Sequence, residues 1–199
     1  MTTTVKPWDA RLAAWLVAPL CNSTVTPNLL TTIRLLVGTL GALLFAHGEY
    51  VNFAALAVVV SNFLDHTDGE LARMSGKTSR FGHNYDLTSD AFVTVGLFIG
   101  IGWGLAPELG TRAIWMGLLA GAAVAGIFQL RNLLENQHGK VATAQARLAG
   151  VEAEDILYLL PLVTLSDGLP SFLYAAAVGA PAAFVIVLIQ YRRWKALPS

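Results

Sequence analysis

The chain has 199 residues, a length typical of one domain. Apolar residues make up 55% of it and charged residues only 13%, whereas soluble chains carry about 25% charged residues. The composition therefore indicates a membrane protein. A formal net charge of zero excludes the basic footprint expected of a nucleic-acid-binding domain, and a lone cysteine, Cys21, excludes an internal disulfide.

The first predicted element is a short amphipathic helix. Trp8, Leu12, Trp15 and Leu16 recur at the i, i+4, i+7 and i+8 positions of one helix face. Tryptophans just before a spanning segment are typical of the headgroup region, so residues 1–22 are predicted to form a juxtamembrane helix at the membrane surface. The alternative is a short helix packed on a partner protein. Residues 1–7 do not resemble a removable signal peptide.

Six apolar segments follow, each close to the length of about 20 residues that a membrane-spanning helix needs. They cover residues 27–46, 51–73, 84–106, 111–134, 153–169 and 170–191, and residues 135–152 form a polar connection. Pro161, Asp167 and Gly168 interrupt the fifth segment. The predicted fold is all-α, a single domain over residues 1–199. Within this domain, the amphipathic helix is followed by a bundle of six transmembrane helices over residues 27–194.

Lysines and arginines predict the orientation of this bundle. They fall on one side of the six-span arrangement, except for Arg112 on the other side and Arg34 within a span. The positive-inside rule then predicts a protein of the cytoplasmic membrane, with both termini and the connection between the second and third spans at the cytoplasmic face.

Four aspartates lie where the second and third spans approach that connection. Asp65 and Asp68 are i, i+3 neighbours, and Asp86 and Asp90 are i, i+4 neighbours, so each pair points from one helix face. Each carboxylate costs about 2.5–3.5 kcal/mol within a membrane, which predicts a positive partner. Oxygen donors suit a hard divalent cation such as Mg²⁺ or Mn²⁺. The alternative, a purely structural salt-bridge network, has only two arginines nearby.

The spacing over residues 65–90, D-x2-D-G-x2-A-R-x8-G-x3-D-x3-D, resembles the signature of the CDP-alcohol phosphotransferase family of integral membrane enzymes. Residues 26–34 also resemble the family's T-P-N-x-L-T-x2-R segment. The resemblance implies transfer of a phosphatidyl group from CDP-diacylglycerol to a small polar alcohol or alcohol phosphate, with release of CMP, in phospholipid biosynthesis. The alternative within the family moves the headgroup phosphate of a CDP-linked amino-alcohol or polyol to a lipid alcohol. A divalent-cation carrier is a remote alternative, because intramembrane acids also mark ion pathways.

The resemblance also implies roles for individual residues. Two ions, Mg²⁺ or Mn²⁺, would be bound by Asp65, Asp68, Asp86 and Asp90, and Asp90 would also act as the general base on the attacking hydroxyl. Arg73 suits the diphosphate because its planar fork makes paired hydrogen bonds. The residues expected to contact the CDP group are Asn28, Thr31, Gly69, Ala72, Arg73, Ser79 and Gly82.

The acceptor site is less defined by sequence. Family members that use a phosphorylated polyol bind its phosphate with basic residues, for which the candidates are Arg131, Lys140, Arg147 and Arg192. An acidic cluster, Glu152, Glu154 and Asp155, favours an amino-alcohol acceptor or marks a helix N-terminus.

Three further expectations concern the surroundings of the site. Residues 74–81 are predicted to link two helices, with Lys77 available to attract anionic substrate or lipid headgroups, and Glu70 is expected to be exposed. Small residues at Gly96-x3-Gly100 and Gly117-x3-Gly121 allow helices to approach closely. They serve either packing within one subunit or the homodimer that the resemblance implies. Membrane lipids and a CDP-linked substrate are the other expected partners.

Overall fold

The computed structural model describes residues 8–138 and 155–195. These residues form eight α-helices and no strand, so the all-α prediction is confirmed for them. In chain order the helices are α1 Trp8–Val17, α2 Pro27–His47, α3 Val51–Ser75, α4 Arg80–Gly104, α5 Ala106–Leu109, α6 Arg112–His138, α7 Leu160–Leu165 and α8 Leu169–Lys195.

Within the described ranges, four helices are long and apolar enough to cross a membrane: α2, α4, the Arg112–Glu135 part of α6, and α8. They indicate a multi-pass membrane protein. Helix α3 has 25 residues but carries Asp65, Asp68, Glu70 and Arg73 in its second half, which lowers its mean hydropathy. The predicted count of six spans is therefore not confirmed.

The fifth predicted span, residues 153–169, is not one continuous helix in its described part. It consists of a 3₁₀ segment, Asp155–Leu159, and the six-residue helix α7. Pro161 lies in the first turn of α7, where the amide hydrogen that it lacks would have no partner within the helix. The chain turns after Leu165, and Asp167 adopts a left-handed φ of 52°. This turn separates α7 from α8.

Local capping sets the ends of the helices around the aspartates. Thr26 Oγ1 accepts a hydrogen bond from the Leu29 amide at 3.3 Å at the start of α2. At the start of α4, Ser79 Oγ accepts one from the Gly82 amide at 2.9 Å, so α4 begins four residues before the predicted position 84. Gly76 ends α3 with a φ of 67°. The predicted 74–81 linker is thus reduced to residues 76–79.

Helix α2 packs against α3 and α4, α4 packs against α6, and α6 packs against α8, while α1 and α7 pack against α3. Short connections make α2, α3 and α4 successively antiparallel, which brings the start of α2, the end of α3 and the start of α4 together. An apolar core that includes Phe45, Val58, Leu97, Ile101 and Leu160 fills the opposite half of the bundle.

Glycines allow these helices to touch backbone to backbone. A Cβ atom on Gly100 would lie 2.3 Å from Ala42 O, and one on Gly117 would lie 2.1 Å from Phe98 O. Both glycines are therefore used in packing within the subunit, α4 against α2 and α6 against α4. A Cβ on Gly96 would have Ala42 Cβ as its nearest neighbour, at 3.8 Å. The homodimer remains a prediction.

Helix α1 is present as predicted, and its two faces differ. Ala13 and Val17 are buried, whereas Leu12, Trp15 and Leu16 are exposed. Because α1 contacts α3, its small residues provide the packing and its larger apolar residues point outward, as expected of a helix in contact with lipid.

Candidate active site

The candidate active site lies where the second half of α3 meets the first half of α4. Asp65, Asp68 and Asp86 each offer a carboxylate oxygen, and these atoms lie within 4.8 Å of one another. Asp68 is buried, and the other two are partly exposed. The structure thus brings together three of the four aspartates that the sequence predicted, from two different helices.

The donor atoms of this cluster fit a hard metal ion. All of them are carboxylate oxygens, the ligand type that Mg²⁺ and Mn²⁺ prefer. The Oδ1 atom of Asp86 is buried and accepts no hydrogen bond, so it retains lone pairs for a ligand. The cluster can therefore hold a metal ion.

Arg34 of α2 lies among the same aspartates. Its Nη1 atom contacts Asp65 Oδ1 and donates a hydrogen bond to Asp90 Oδ1 at 2.6 Å. Its Nη2 atom lies 3.3 Å from Asp86 Oδ1, a distance at which charges interact, and donates to the backbone oxygen of Asp86 at 3.2 Å. Arg34 is only 1% exposed. The guanidinium therefore links the fourth aspartate, Asp90, to the cluster.

The sequence placed Arg34 within a span and counted it as one of two arginines near the aspartates, but it assigned Arg34 no role in the site. A signal was present. Arg34 follows Thr31 by three positions, so both side chains lie on one face of α2. The structure also fixes the backbone at this point, because Ser61 Oγ of α3 donates to Arg34 O at 3.0 Å.

Thr31 contacts the acidic cluster directly. Its Oγ1 atom donates a hydrogen bond to Asp68 Oδ2 at 2.7 Å, and both residues are buried. The same hydroxyl lies 3.2 Å from the backbone oxygen of Pro27. Thr31, predicted to lie near the nucleotide, thus fixes the position of one carboxylate.

Three other residues that were predicted to contact the CDP group lie close to one another near the start of α4. A Cβ atom on Gly82 would lie 2.8 Å from Asn28 Oδ1 and 3.1 Å from Ser79 Oγ. Asn28 lies in the first turn of α2, and Ser79 caps α4. These residues therefore come from two helix N-termini, where unpaired backbone amides favour anions such as phosphate.

Glu70 and Arg73 form an ion pair on the outer turn of α3. Arg73 Nη2 lies 3.0 Å from Glu70 Oε1, and the side chains are 63% and 3% exposed, respectively. The prediction that Glu70 is exposed is wrong, because its carboxylate is buried against the arginine. The Arg73 guanidinium lies over Gly69, 3.6 Å from where a Cβ atom of that glycine would be. Ala72, half-buried, is on the same helix.

Lys77 is engaged with the backbone. Its Nζ atom donates to Ser23 O at 2.8 Å and to Val25 O at 3.2 Å. The side chain thereby ties the linker after α3 to the segment that leads into α2. We therefore assign Lys77 to this connection.

The candidate acceptor residues are only partly described. Arg131 is half-buried in the last third of α6, and Arg192 is exposed in the last turn of α8. Lys140 and Arg147 lie outside the described residues, as do Glu152 and Glu154. Asp155 starts the 3₁₀ segment before α7.

The chain is similar to known proteins. A family model described as CDP-alcohol phosphatidyltransferase matches residues 24–190. The chain is 38% identical over 80 residues to the archaetidylinositol phosphate synthase of Pyrococcus horikoshii. The aligned residues cover 40% of this chain and 42% of that protein. It is 27% identical over 147 residues to the cardiolipin synthase (CMP-forming) of Streptomyces coelicolor. This alignment covers 71% of this chain and 66% of that protein.

The fold is similar to that of a solved enzyme. The chain superimposes on the crystal structure of Mycobacterium tuberculosis phosphatidylinositol phosphate synthase with CDP-DAG bound. The TM-score is 0.60 and the sequence identity 23%, over 92% of this chain and 91% of that one. At this identity the likeness concerns the fold.

Proposed function

Because the chain belongs to the CDP-alcohol phosphatidyltransferase family, we propose that it transfers a phosphatidyl group from CDP-diacylglycerol to the hydroxyl of a small polar alcohol or alcohol phosphate and releases CMP. The observation that carries this proposal is the convergence of Asp65, Asp68 and Asp86, whose carboxylate oxygens lie within 4.8 Å of one another. Both signature segments of the sequence meet at this point, since Thr31 and Arg34 of α2 contact the aspartates.

We propose two divalent ions, Mg²⁺ or Mn²⁺, as cofactors of the reaction. Asp65, Asp68 and Asp86 would hold one, and Asp90 would contribute to the other. When bound, such ions neutralise a diphosphate and stabilise the departing phosphate of CMP. The partial exposure of Asp65 and Asp86, 25% and 33%, leaves the cluster open to a substrate.

The protein's own residues would bind and orient the donor. Arg73 is exposed beside Gly69 and held by Glu70, so its fork is positioned to receive diphosphate oxygens. Asn28, Ser79 and Gly82 form an adjoining polar group for the nucleotide, and Ala72 contributes a small side chain beside Arg73. The direct bond from Thr31 fixes Asp68.

Asp90 is proposed as the general base. Its side chain is 35% exposed, which permits contact with an acceptor hydroxyl. One carboxylate oxygen, Oδ1, accepts from Arg34. The fixed carboxylate would take the proton as that hydroxyl attacks the phosphorus of the phosphatidyl group, and the bond from this phosphorus to the bridging oxygen breaks, so that the oxygen leaves with CMP.

The acceptor is proposed to be a polar alcohol that reaches the site from the aqueous side. Arg131, Lys140, Arg147 and Arg192 are the proposed phosphate-binding residues for a phosphorylated acceptor. The named function of the Pyrococcus horikoshii relative, an inositol phosphate lipid synthase, favours a phosphorylated polyol. A second candidate keeps the same aspartates and transfers a headgroup phosphate from a CDP-linked alcohol to a lipid alcohol.

We further propose that residues 1–199 form one membrane domain, with residues 27–194 as a six-span bundle. Helix α3 would be the second span, because 25 residues reach about 37 Å as a helix, and the segment ending in α7 would be the fifth. Both termini and the active site would face the cytoplasm, and the protein would act in the cytoplasmic membrane as a homodimer.

Release of CMP by the purified protein tests the proposal. CDP-diacylglycerol is supplied with Mg²⁺ or Mn²⁺ and, in separate reactions, glycerol phosphate, inositol phosphate, inositol, serine or a lipid alcohol. Asp90→Asn should reduce the rate about 100-fold or more, the scale of a lost general base. Asp167→Asn makes the same chemical change in the exposed turn between α7 and α8 and should leave the rate unchanged.

The alternatives give different results in the same assay. Release only from a CDP-linked headgroup, with a lipid alcohol as acceptor, would reverse the donor and acceptor. A divalent-cation carrier would release no CMP, and CDP would not raise its melting temperature in the presence of Mn²⁺. Absence of both CDP binding and CMP release would refute the phosphatidyltransferase proposal.

A further inference from the structure

Lys77 joins two connecting segments that are far apart in the chain. Its Nζ atom donates to Ser23 O at 2.8 Å and to Val25 O at 3.2 Å. The lysine belongs to the linker between α3 and α4, and the two acceptors belong to the segment before α2. Hydrogen bonds from a charged donor are stronger than those between neutral groups. The ammonium group therefore cross-links the segments that lead into α2 and α4.

Both ends of this cross-link are held by local hydrogen bonds. In the linker, the Lys77 amide donates to Ser75 Oγ at 3.4 Å. In the segment before α2, Ser23 Oγ donates to Leu20 O at 2.7 Å and accepts from the Val25 amide at 3.1 Å. The lysine thus joins two segments that are each internally bonded, so it can fix the position of one segment relative to the other.

The cross-linked segments lead into the three residues Asn28, Ser79 and Gly82, here called the nucleotide group. Asn28 follows Val25 by three positions, and Ser79 follows Lys77 by two. The Asn28 Oδ1 and Ser79 Oγ atoms lie 2.8 and 3.1 Å from where a Cβ atom of Gly82 would be. The spacing within the nucleotide group therefore depends on how the start of α2 is placed against the start of α4.

A second contact joins the same two helices about one turn further along. Thr32 Oγ1 and Tyr85 OH lie 3.0 Å apart, at hydrogen-bonding distance. Thr32 follows Asn28 by four positions, and Tyr85 follows Gly82 by three. The nucleotide group thus lies between two cross-links, with this pair toward the middle of the helices and the lysine at the outer end.

We propose that Lys77 is a positioning residue for the donor nucleotide. Its cross-link holds the start of α2 against the start of α4 and so sets the spacing of the nucleotide group. This inference rests on the proposed function, in which that group contacts CDP. Two of the three ammonium hydrogens are engaged with backbone oxygens. Lys77 therefore acts through the backbone that it holds, which differs from the attraction of anionic substrate suggested by the sequence.

Binding of two ligands to Lys77→Met tests this role. Methionine keeps a long apolar side chain and removes the ammonium group, and the substitution leaves the packed bundle intact because Lys77 is exposed. CDP carries a charged diphosphate whereas cytidine is neutral, so the two ligands separate positioning from charge attraction. Calorimetry with CDP in Mn²⁺, and displacement of CDP by cytidine, should show both affinities lowered by a similar factor of about 3–10.

Two further variants control for the loss of charge. Lys77→Arg keeps a charged donor at this position and should bind both ligands within about twofold of wild type. Arg80→Met removes an exposed cation at the first residue of α4 and should also stay within about twofold of wild type. In the CMP-release assay, Lys77→Met should raise the KM for CDP-diacylglycerol by the factor found for binding and leave kcat unchanged.

The outcomes separate this inference from the proposed function. Unchanged affinities in Lys77→Met would overturn the role of Lys77. A loss for CDP alone would overturn it as well, because it would show that the lysine acts through its charge. Wild-type protein that binds both ligands but releases no CMP with any acceptor would overturn the proposed transfer, while the binding comparison would still decide the role of Lys77. Wild-type protein that binds neither ligand would overturn the nucleotide site and the inference together.

Discussion

Replacing Thr31 with valine tests whether the site depends on a buried hydrogen bond. The substitution removes one hydroxyl and retains a β-branched side chain of similar size. The Thr31 hydroxyl donates to Asp68 Oδ2 at 2.7 Å, and the residues are 3% and 4% exposed. Little water is available to take the place of the lost donor, so the Asp68 carboxylate would lose its fixed orientation.

The expected magnitude follows from this geometry. A hydrogen bond to a charged group contributes about 1.5–3 kcal/mol, and loss of a partner that orients a metal ligand typically weakens metal binding about 10–100-fold. Thr31→Val should therefore bind its first Mn²⁺ ion about 10–100-fold more weakly than wild type. Its melting temperature in EDTA should fall by about 3–10 °C.

Calorimetric titration with Mn²⁺ measures the affinity, and two matched variants control for the substitution. Thr39→Val removes a hydroxyl from the same helix, where it donates to Leu35 O at 2.7 Å, and should bind Mn²⁺ as wild type does. Thr31→Ser keeps the donor and should stay within about threefold of wild type. Equal Mn²⁺ affinities for Thr31→Val and Thr39→Val would refute the view that Thr31 fixes a metal ligand.

Two glycine substitutions test packing and substrate contact. Gly117→Ala places a methyl group 2.1 Å from the rigid backbone oxygen of Phe98, so it should destabilise the protein by about 1–3 kcal/mol and lower its melting temperature. In Gly96→Ala the new methyl group has its nearest neighbour at 3.8 Å, so this variant should keep the stability of the wild type. Equal melting temperatures for Gly117→Ala and Gly96→Ala would contradict the packing. Gly82→Ala would displace the end of the Asn28 side chain, because the new methyl group would lie 2.8 Å from it. The affinity for CDP, measured by calorimetry, should therefore fall about tenfold. An unchanged affinity would contradict a contact between this group and CDP.

Hydropathy located the helices well where a capping residue borders an apolar run. The predicted segments 27–46 and 51–73 correspond to Pro27–His47 and Val51–Ser75, which end near Gly48 and Gly76. The start of α4 was missed because residues 80–83 include Arg80, Gly82 and His83 and so do not extend the apolar run. Their helical state depends on the Ser79 cap, a local hydrogen bond that hydropathy does not measure. Residues 153–169 were apolar enough to suggest a span, but α7 begins only at Leu160, next to Pro161, and ends before the left-handed turn at Asp167.

Sequence spacing predicted the aspartate pairs because helical periodicity alone puts each pair on one face. The neighbours of those pairs depend on how deeply α2 lies between α3 and α4. Gly38 controls that depth, since a Cβ atom there would lie 2.7 Å from Ser61 Oγ and 2.6 Å from Val93 Cγ1. Such a three-helix contact leaves no periodic signal. Glu70 was placed at the surface by its polarity alone, whereas its ion pair with Arg73 permits burial.

The burial of Arg34 links the stability of the bundle to its chemistry. An uncompensated guanidinium among packed helices would cost several kcal/mol, and its partners come from both α3 and α4. Helix α2 can therefore pack in its native position only when the aspartates of both α3 and α4 are in place to contact Arg34. By contrast, α6 packs on α4 through close backbone contacts such as that at Gly117. Substitutions at Arg34 should consequently change stability and metal binding together, whereas packing substitutions in α6 should change stability alone.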